Sequence, residues 1–164
     1  MHFTEYDTRL AAYALIVDEM DRILLAWYNG SGSGNACWSL PGGGVEFDES
    51  VEQAVVREVL EETGHKVALH EPMAVHSFTE TGGREGSRPF KSVRIVYRAT
   101  VTGGRLGTLE VNGTTDYAEW IPLDQIGLEE PRADIVDVAV DAWRARTART
   151  WSTVSHASQR RLRA

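Results

Sequence analysis

The chain has 164 residues, of which 42% are hydrophobic and 25% are charged, and its formal net charge is −7. This length and composition are typical of one globular domain and exclude wholesale disorder. The acidic balance argues against polymeric nucleic acid as a partner, because such binders usually carry a basic surface. The seven arginines and three aspartates after Glu130 leave +4 there, so the first 130 residues carry −11. An acidic body of this kind needs a cation in order to bind an anionic ligand.

The cysteine content and the start of the chain bear on the cellular compartment. Cys37 is the only cysteine, so no intrachain disulfide can form and the composition gives no support to secretion. Residues 1–10 lack the apolar run of a signal peptide, and no segment approaches the roughly 18 apolar residues that a membrane span needs. The sequence therefore predicts a cytoplasmic protein without a membrane partner.

Two short apolar runs predict the first β-structure. Residues 11–17 and 22–28 flank an acidic turn at 18–21, so we expect them to form a β-hairpin. Residues 38–40 predict a brief strand. The following Pro-Gly-Gly-Gly segment at 41–44 should end that strand, because it does not readily continue a regular element.

The strongest predicted element is a helix over residues 50–63. Ser50 and Gln53 have the spacing of a Ser-x-x-Gln capping box, and Asp48 is the alternative N-cap. Gly64 follows the last helical turn, where glycine commonly ends a helix. Both ends of this helix are therefore marked in the sequence.

The second half of the chain predicts three more strands and a late helix. The strands are expected at 66–78, with an interruption at Pro72, at 92–101 and at 119–121. Residues 133–149 have the apolar spacing of an amphipathic helix. Strands on both sides of one strong helix predict a mixed α/β fold with a helix packed on a sheet.

Three glutamates of the first helix form an acidic face. Glu58, Glu61 and Glu62 fall within an arc of about 100° on a helical projection. Their mutual repulsion and their place near the helix C-terminus are both unfavourable, and such violations tend to mark function. A hard divalent cation would relieve both, since Mg²⁺ and Mn²⁺ prefer oxygen ligands. The alternative is a solvated acidic face that binds no metal.

A longer pattern joins the glycine-rich turn to this helix. Gly43 is followed after five residues by Glu49, and after seven more by residues 57–65, Arg-Glu-Val-Leu-Glu-Glu-Thr-Gly-His. This resembles the Nudix box, G-x5-E-x7-R-E-U-x-E-E-x-G-U, in which U is a bulky aliphatic residue. Every fixed glycine, acid and arginine is present at the right spacing. His65 stands at the last aliphatic position, and we interpret it as a packing variation away from the ligands.

The resemblance to the Nudix hydrolase family, of the MutT-like type, carries expectations about fold and activity. It implies an α/β/α sandwich with a mixed sheet, in which the box forms a loop-helix-loop catalytic motif. We expect a single domain over residues 1–150, followed by a polar, arginine-rich tail at 151–164. It also implies hydrolysis of a nucleoside diphosphate linked to another group. Dimers are common in the family, so a homodimer is an open alternative.

The resemblance also implies roles for the residues of the box. The expected ligands of Mg²⁺ or Mn²⁺ are Gly43, through its carbonyl, Glu58, Glu61 and Glu62. Arg57 is expected to hold a carboxylate in place, with Glu49 or Glu61 as its partner. Glu49 in turn supports the box or assists a metal-bound water.

The general base is either a glutamate of the box or an acid from a distant loop. The distant acids are Glu80, Glu85, Asp116 and Glu119. Asp116 and Glu119 rank first because they lie just before Trp120, where a catalytic acid of the family can occur. Each of them is also an ordinary candidate for a surface acid.

Substrate-binding residues are predicted from their chemistry. Trp38 and Phe78 could stack on a base, as could Trp27 and Tyr28, although a core position is the alternative for the first two. Arg84 and Arg88, together with Lys91, could bind distal phosphates, and a solvated loop is the alternative for them.

The extended motifs of the ADP-ribose, diadenosine polyphosphate and NADH classes are absent. A nucleoside triphosphate is therefore the first expectation, with ADP-ribose or a nucleotide sugar as the alternative. Two further readings stay open. One is an isopentenyl diphosphate isomerase that uses Cys37, and the other is a non-catalytic nucleotide sensor.

Overall fold

The computed structural model describes residues 1–31, 34–81 and 88–161, with side chains as far as residue 148. In chain order, the elements are β1 (Asp7–Ile16), β2 (Arg22–Tyr28), β3 (Cys37–Ser39), β4 (Gly42–Gly44), α1 (Val51–Thr63), β5 (His65–Glu80), β6 (Phe90–Gly104), β7 (Thr115–Pro122), a 3-10 turn (Ile126–Leu128) and α2 (Asp134–Arg161). None of the helices in these residues is long and apolar enough to cross a membrane.

The strands form two sheets. The larger has the order β4-β1-β6-β5, in which β1 runs parallel to β6 and the other neighbours are antiparallel. The smaller is antiparallel and has the order β3-β2-β7. The parallel pair makes the larger sheet mixed, as the resemblance implied.

The sheets lie between the two helices. On β1, the side chains of Ala12 and Ala14 pack in a cluster with Val59 of α1. Leu15, which points to the other face, packs in a second cluster with Ile135 of α2. This alternation along a strand buried on both faces confirms the α/β/α sandwich.

The predicted hairpin is wrong, because β1 and β2 belong to different sheets. They are joined by a tight turn in which the Asp18 N–H donates to the Arg22 carbonyl at 2.9 Å, and only Val17 and Ile23 form a bridge. β1 pairs on one side with β4 and on the other with β6, so β2 has no free edge to join. The alternation of apolar residues does not specify such partners.

The glycine-rich turn forms a short strand rather than ending all regular structure. β4 pairs antiparallel with β1, with Gly42 opposite Tyr13. Gly42 has φ 145°, and a Cβ there would lie 2.3 Å from the Ala12 carbonyl oxygen. Only glycine allows the backbone of β4 to lie this close to β1.

Helix α1 has the predicted ends. The Gln53 N–H donates to the Ser50 hydroxyl oxygen at 3.2 Å, and the Ser50 N–H donates to Gln53 Oε1 at 2.8 Å, which completes the capping box. At the other end Gly64 has φ 72°, and its N–H donates to the Leu60 carbonyl at 2.9 Å. Local sequence therefore determines both ends of the helix.

Two other elements can be compared with their predicted form. β5 shows register shifts between Leu69 and Ala74, which is the interruption that Pro72 predicts. Helix α2 continues to Arg161 and so runs through the residues at which the polar tail was expected to begin.

His65, the departure from the box, is buried at the start of β5. Among the described residues neither ring nitrogen has a hydrogen-bond partner, and the ring centroid lies 6.0 Å from that of Trp120. Buried polar atoms without partners cost free energy that an apolar side chain of similar size does not. The position is therefore a packing site, as the sequence suggested.

We expect His65→Leu to raise the free energy of unfolding by about 1–2 kcal/mol, because it removes two unsatisfied polar atoms. The melting temperature should rise by about 2–8 °C in calorimetry. His70→Leu is the control, since His70 is exposed and its Nε2 bonds to Thr100; it should give no gain. A His65→Leu protein that melts below the parent would contradict this account.

Candidate functional site

A cleft of about 500 Å³ lies where β4 and α1 meet the ends of β2, β3 and β7. Its lining includes Gly42 and Gly43 of β4, Tyr28 of β2 and Cys37 of β3. The acidic residues lining the cleft are Glu58, Glu61, Glu62 and Glu110. The cleft therefore concentrates negative charge contributed by α1 and by the segment before β7.

Three of these acids converge. A carboxylate oxygen from each of Glu58, Glu62 and Glu110 lies within 4.8 Å of the other two. We call these residues the carboxylate triad. Such an all-oxygen set fits a hard divalent cation such as Mg²⁺ or Mn²⁺, which would offset the repulsion between them.

Glu62 is held by two donors from different elements. The Gly42 N–H donates to Oε2 at 2.9 Å, and the Thr115 hydroxyl donates to Oε1 at 2.8 Å. The residue is only 7% exposed. Burial raises the pKa of its carboxyl to about 8, against the effect of these hydrogen bonds. A nearby cation would favour the charged form of this buried acid.

Glu58 lies against the bare backbone of β4. A Cβ at Gly43 would be 2.6 Å from Glu58 Oε1, so a side chain at this position would displace the carboxylate. Burial raises the pKa of Glu58, and the Arg57 guanidinium opposes that shift. The proximity of Gly43 to the triad is compatible with its predicted role, and a carbonyl ligand at Gly43 stays a prediction.

Glu110 reaches the triad through contacts with the end of α1. In the preceding loop, the Gly107 N–H donates to the Thr63 carbonyl at 3.0 Å and the Leu109 N–H donates to the Glu61 carbonyl at 2.7 Å. These bonds satisfy carbonyls that a helix end leaves without partners. They attach the loop to the helix that carries Glu58 and Glu62.

The segment that follows Glu110 also holds its carboxylate in place. Its Oε2 accepts from the Thr115 N–H at 3.0 Å, and a Cβ at Gly113 would lie 1.9 Å from the same oxygen. Sequence reasoning did not include Glu110 among the distant acids. The one signal for it was an acid shortly before the β7 strand, in a segment without a recognisable motif.

Arg57 bonds to both of the partners that the sequence offered. Its Nε and Nη2 donate to the two carboxylate oxygens of Glu49 at 3.1 and 2.7 Å, and Nη1 donates to Glu61 Oε2 at 3.1 Å. Nη1 also lies 3.0 Å from Glu58 Oε1. These hydrogen bonds raise the pKa of Arg57 and lower that of Glu49. Glu61 is thus held beside the triad, not within it.

The acids ranked first among the distant candidates do not line the cleft. Asp116 and Glu119 are exposed, and Asp116 accepts from Asn29 Nδ2 at 2.9 Å. The pairing of β2 with β7 shifts register beside Tyr28, so Thr115 faces Glu62 and Asp116 does not. The geometry of the cleft therefore gives no support to a role for these two acids. Of the remaining candidates, Glu80 is exposed at the end of β5, and Glu85 lies outside the described residues.

The aromatic candidates have other roles. Trp38 is buried in the core, with its ring edge-on to Trp27 at 5.2 Å and to Tyr117 at 5.5 Å. Alternation along β3 explains this, because Cys37 and Ser39 line the cleft and Trp38 between them points away from it. The position of Trp38 therefore favours the core alternative over stacking on a substrate.

Phe78 also lies away from the cleft. It is on β5, with the Arg94 guanidinium 5.5 Å from its ring centroid. Of the aromatic residues proposed from sequence for stacking, Tyr28 lines the cleft.

Of the predicted phosphate-binding cations, Arg88 and Lys91 do not line the cleft. Arg88 bonds to the Thr4 carbonyl and lies 3.4 Å from Asp7. Arg84 lies outside the described residues. Arg9, which the sequence did not single out, lines the cleft instead.

We expect the affinity for Mn²⁺ to depend on pH through Glu62. Metal ligands must be deprotonated, and the pKa of Glu62 is about 8 in the protein alone. Affinity should therefore rise with pH by up to about tenfold per unit below pH 8, with uptake of the ion releasing about one proton. Titration calorimetry in two buffers of different ionisation enthalpy measures both quantities. An affinity that is flat between about pH 6 and 8 would contradict the expectation.

Comparison with known proteins supports a family assignment. The family model described as "NUDIX domain" matches residues 7–143. A putative 8-oxo-dGTP diphosphatase from Bacillus subtilis is 34% identical over 95 residues, which cover 57% of this chain and 54% of the relative. An ADP-ribose pyrophosphatase from Methanocaldococcus jannaschii is 40% identical over 70 residues, covering 43% of this chain and 38% of the relative. The chain thus spans about half the length, or less, of these curated relatives.

A solved structure is similar over more of the chain. The MutT NUDIX hydrolase from Burkholderia pseudomallei is 29% identical, with a TM-score of 0.64 over 83% of this chain and 98% of that one. The family match includes the whole box and the loop that carries Glu110, and it extends into the first half of α2. On these grounds, the chain belongs to the NUDIX domain family.

Proposed function

We propose that the chain is a divalent-metal-dependent pyrophosphohydrolase, which cleaves a phosphoanhydride bond in a nucleoside triphosphate. The observation that carries this proposal is the carboxylate triad, in which two glutamates of the box meet Glu110 inside a cleft of about 500 Å³. The similarity to the Bacillus subtilis relative, which is named as a putative 8-oxo-dGTP diphosphatase, supports the substrate class.

The residues present fit the metal that the family implies. Glu58, Glu62 and Glu110 would hold Mg²⁺ or Mn²⁺, and the buried Glu62 has a raised pKa that a cation would lower. When bound, the ion supplies charge neutralisation at the phosphate oxygens and lowers the pKa of water.

The other residues of the box position groups around the triad. Glu61 lines the same cleft, its side chain is 43% exposed, and Arg57 Nη1 donates to its Oε2. We therefore assign Glu61 as the acceptor of the proton from the attacking water. Arg57 and Glu49 act as positioning residues, because their contacts are with carboxylates of the box.

An ADP-ribose or nucleotide-sugar pyrophosphatase is the second candidate. The Methanocaldococcus jannaschii relative is named as an ADP-ribose pyrophosphatase. Both reactions break the same kind of phosphoanhydride bond, so the triad alone does not distinguish them.

Cys37 gives the isomerase alternative one supporting observation, because its thiol lines the cleft. Burial raises the pKa of this thiol, which disfavours the reactive thiolate. Conversion of isopentenyl diphosphate without phosphate release, and its loss in Cys37→Ser, would favour that alternative.

The test is a screen of nucleoside triphosphates, ADP-ribose and nucleotide sugars with Mg²⁺ and with Mn²⁺, in which the products are separated by chromatography. We expect a nucleoside monophosphate and pyrophosphate from a triphosphate, and no products after EDTA treatment. A protein that binds nucleotides with metal but releases no product from any of them would instead be a sensor.

A further inference from the structure

Arg9 is a cation of the cleft that has no acidic partner in the part of the chain that the structure describes. It lies on β1, and its side chain lines the same cleft as the carboxylate triad. In residues 1–31, 34–81 and 88–148, no carboxylate forms an ion pair or hydrogen bond with its guanidinium. Arg57, the other arginine of the cleft, instead lies within bonding distance of three carboxylates. Within these residues, the guanidinium donors of Arg9 are therefore not committed to a carboxylate.

The position of Arg9 relative to the triad follows from strand alternation. On β1, Arg9 and Tyr13 share one face, and Ala12 packs on the opposite face in the cluster that includes α1. On β4, a Cβ at Gly43 would touch Glu58, and a Cβ at the next residue, Gly44, would lie 3.1 Å from Arg9 Nε and 3.2 Å from Nη2. The triad and Arg9 thus flank opposite sides of one bare glycine backbone.

Tyr13 is within electrostatic reach of both groups of charge. It lines the cleft, and burial raises the pKa of its phenol. The charges of Arg9 and Glu62 act on it in opposite directions, so both are within electrostatic reach of the same side chain. A ligand in the cleft would therefore be exposed both to the carboxylates and to the Arg9 guanidinium.

This arrangement suits a substrate that carries further negative charge in addition to the phosphates that face the metal. Two phosphate groups facing the triad would be neutralised through the metal. A third phosphate adds negative charge that the acidic cleft would repel without another cation. A guanidinium with uncommitted donors binds phosphate oxygens through two parallel hydrogen bonds.

On the basis of the proposed function, we propose that Arg9 binds the third phosphate of a nucleoside triphosphate, and so selects triphosphates over nucleotides that carry a linked diphosphate. Arg9 is then a specificity-determining residue of the same site, not a member of its reacting groups.

Steady-state kinetics of Arg9→Gln test this selection. We expect the KM for a nucleoside triphosphate to rise about 10- to 100-fold, as for a lost charge-assisted hydrogen bond, with kcat nearly unchanged. The KM for ADP-ribose, which has two phosphates, should stay within about twofold. Arg9→Lys should recover part of the loss, since it restores the charge without the planar fork. Arg144→Gln removes an equal charge from an exposed position on α2 and is the matched control.

A binding measurement separates this proposal from hydrolysis. Cys37 is the only cysteine and lines the cleft, so its alkylation rate reports occupancy. A triphosphate analogue with a methylene bridge, together with Mg²⁺, should protect Cys37 in the parent. Arg9→Gln should need about 10- to 100-fold more analogue for the same protection.

Any of three results would overturn the assignment of Arg9. The first is an unchanged KM and unchanged protection of Cys37 in Arg9→Gln, and the second is an equal rise in KM for the triphosphate and for ADP-ribose. The third is that the analogue does not protect Cys37 in the parent. Failure of the proposed function gives a different result, namely protection of the parent without any hydrolysis. In that case the protection of Arg9→Gln still decides whether Arg9 binds the phosphate.

Discussion

Glu62→Gln is expected to lower turnover by at least about 100-fold, because even residues that only support metal ligands commonly contribute 10- to 100-fold. The amide keeps the size of the side chain but loses the charge and one acceptor oxygen. Both oxygens of Glu62 are in use, toward Gly42 and Thr115. Phosphate release with Mg²⁺ and with Mn²⁺ measures the loss. Asp124→Asn, an exposed acid outside the cleft, is the control for removing a carboxylate.

The same substitution should stabilise the metal-free protein, and that result would show that the loss of turnover is not a folding defect. The pKa of Glu62 is raised from 4.5 to about 8, so the unfolded chain loses this proton first as the pH rises. Stability from this group is therefore fully present below pH 4.5 and is lost progressively up to about pH 8. Glu62→Gln avoids that loss and should unfold with a free energy at least about 1 kcal/mol higher at pH 8. Undiminished hydrolysis by this variant would refute the metal assignment.

Glu110→Gln should also lower turnover by about 100-fold or more, for the same reason as a triad member. Its carboxylate lies with those of Glu58 and Glu62 within 4.8 Å. The sequence favoured two other acids for a role at the site, and these provide the contrast. Asp116→Asn and Glu119→Gln should keep turnover within about threefold, because neither side chain lines the cleft.

Weakened Mn²⁺ binding in Glu110→Gln, measured by titration calorimetry, would support a ligand role beyond a general loss of activity. A fully active Glu110→Gln together with an inactive Asp116→Asn would contradict the triad. The site would then have to include Asp116 at the start of β7. A substitution at Gly113 tests the position of the Glu110 carboxylate without replacing Glu110. Gly113→Ala should displace the Glu110 carboxylate, since the added Cβ would lie 1.9 Å from its oxygen.

Local features of the chain were predictable because their causes lie within a few residues. The caps of α1 depend on Ser50, Gln53 and Gly64, all within one turn of the helix ends. The acidic face of α1 follows from the helical period alone. The box predicted Glu49 or Glu61 as the partner of Arg57, and Arg57 donates hydrogen bonds to both.

Strand pairing was less predictable, because it depends on which edges remain open in the assembled sheet. The apolar runs of β1 and β2 were found, but their placement in separate sheets was not. Trp38 was another such case. Its chemistry suits stacking on a base, yet the pleat of β3 directs Cys37 and Ser39 to the cleft and Trp38 to the core.

The sequence by itself determined the box, its helix and the acids that the helix presents, because these depend on spacing along one element. Only the tertiary structure decided which acid completes the triad and which cation lies across β4 from it. Glu110 is 48 residues beyond Glu62 and reaches it because backbone donors of its loop bond to the free carbonyls at the end of α1. Arg9 reaches the cleft because glycines leave β4 without side chains. Contacts that depend on helix ends and bare backbone from distant segments have no periodic signal in the chain.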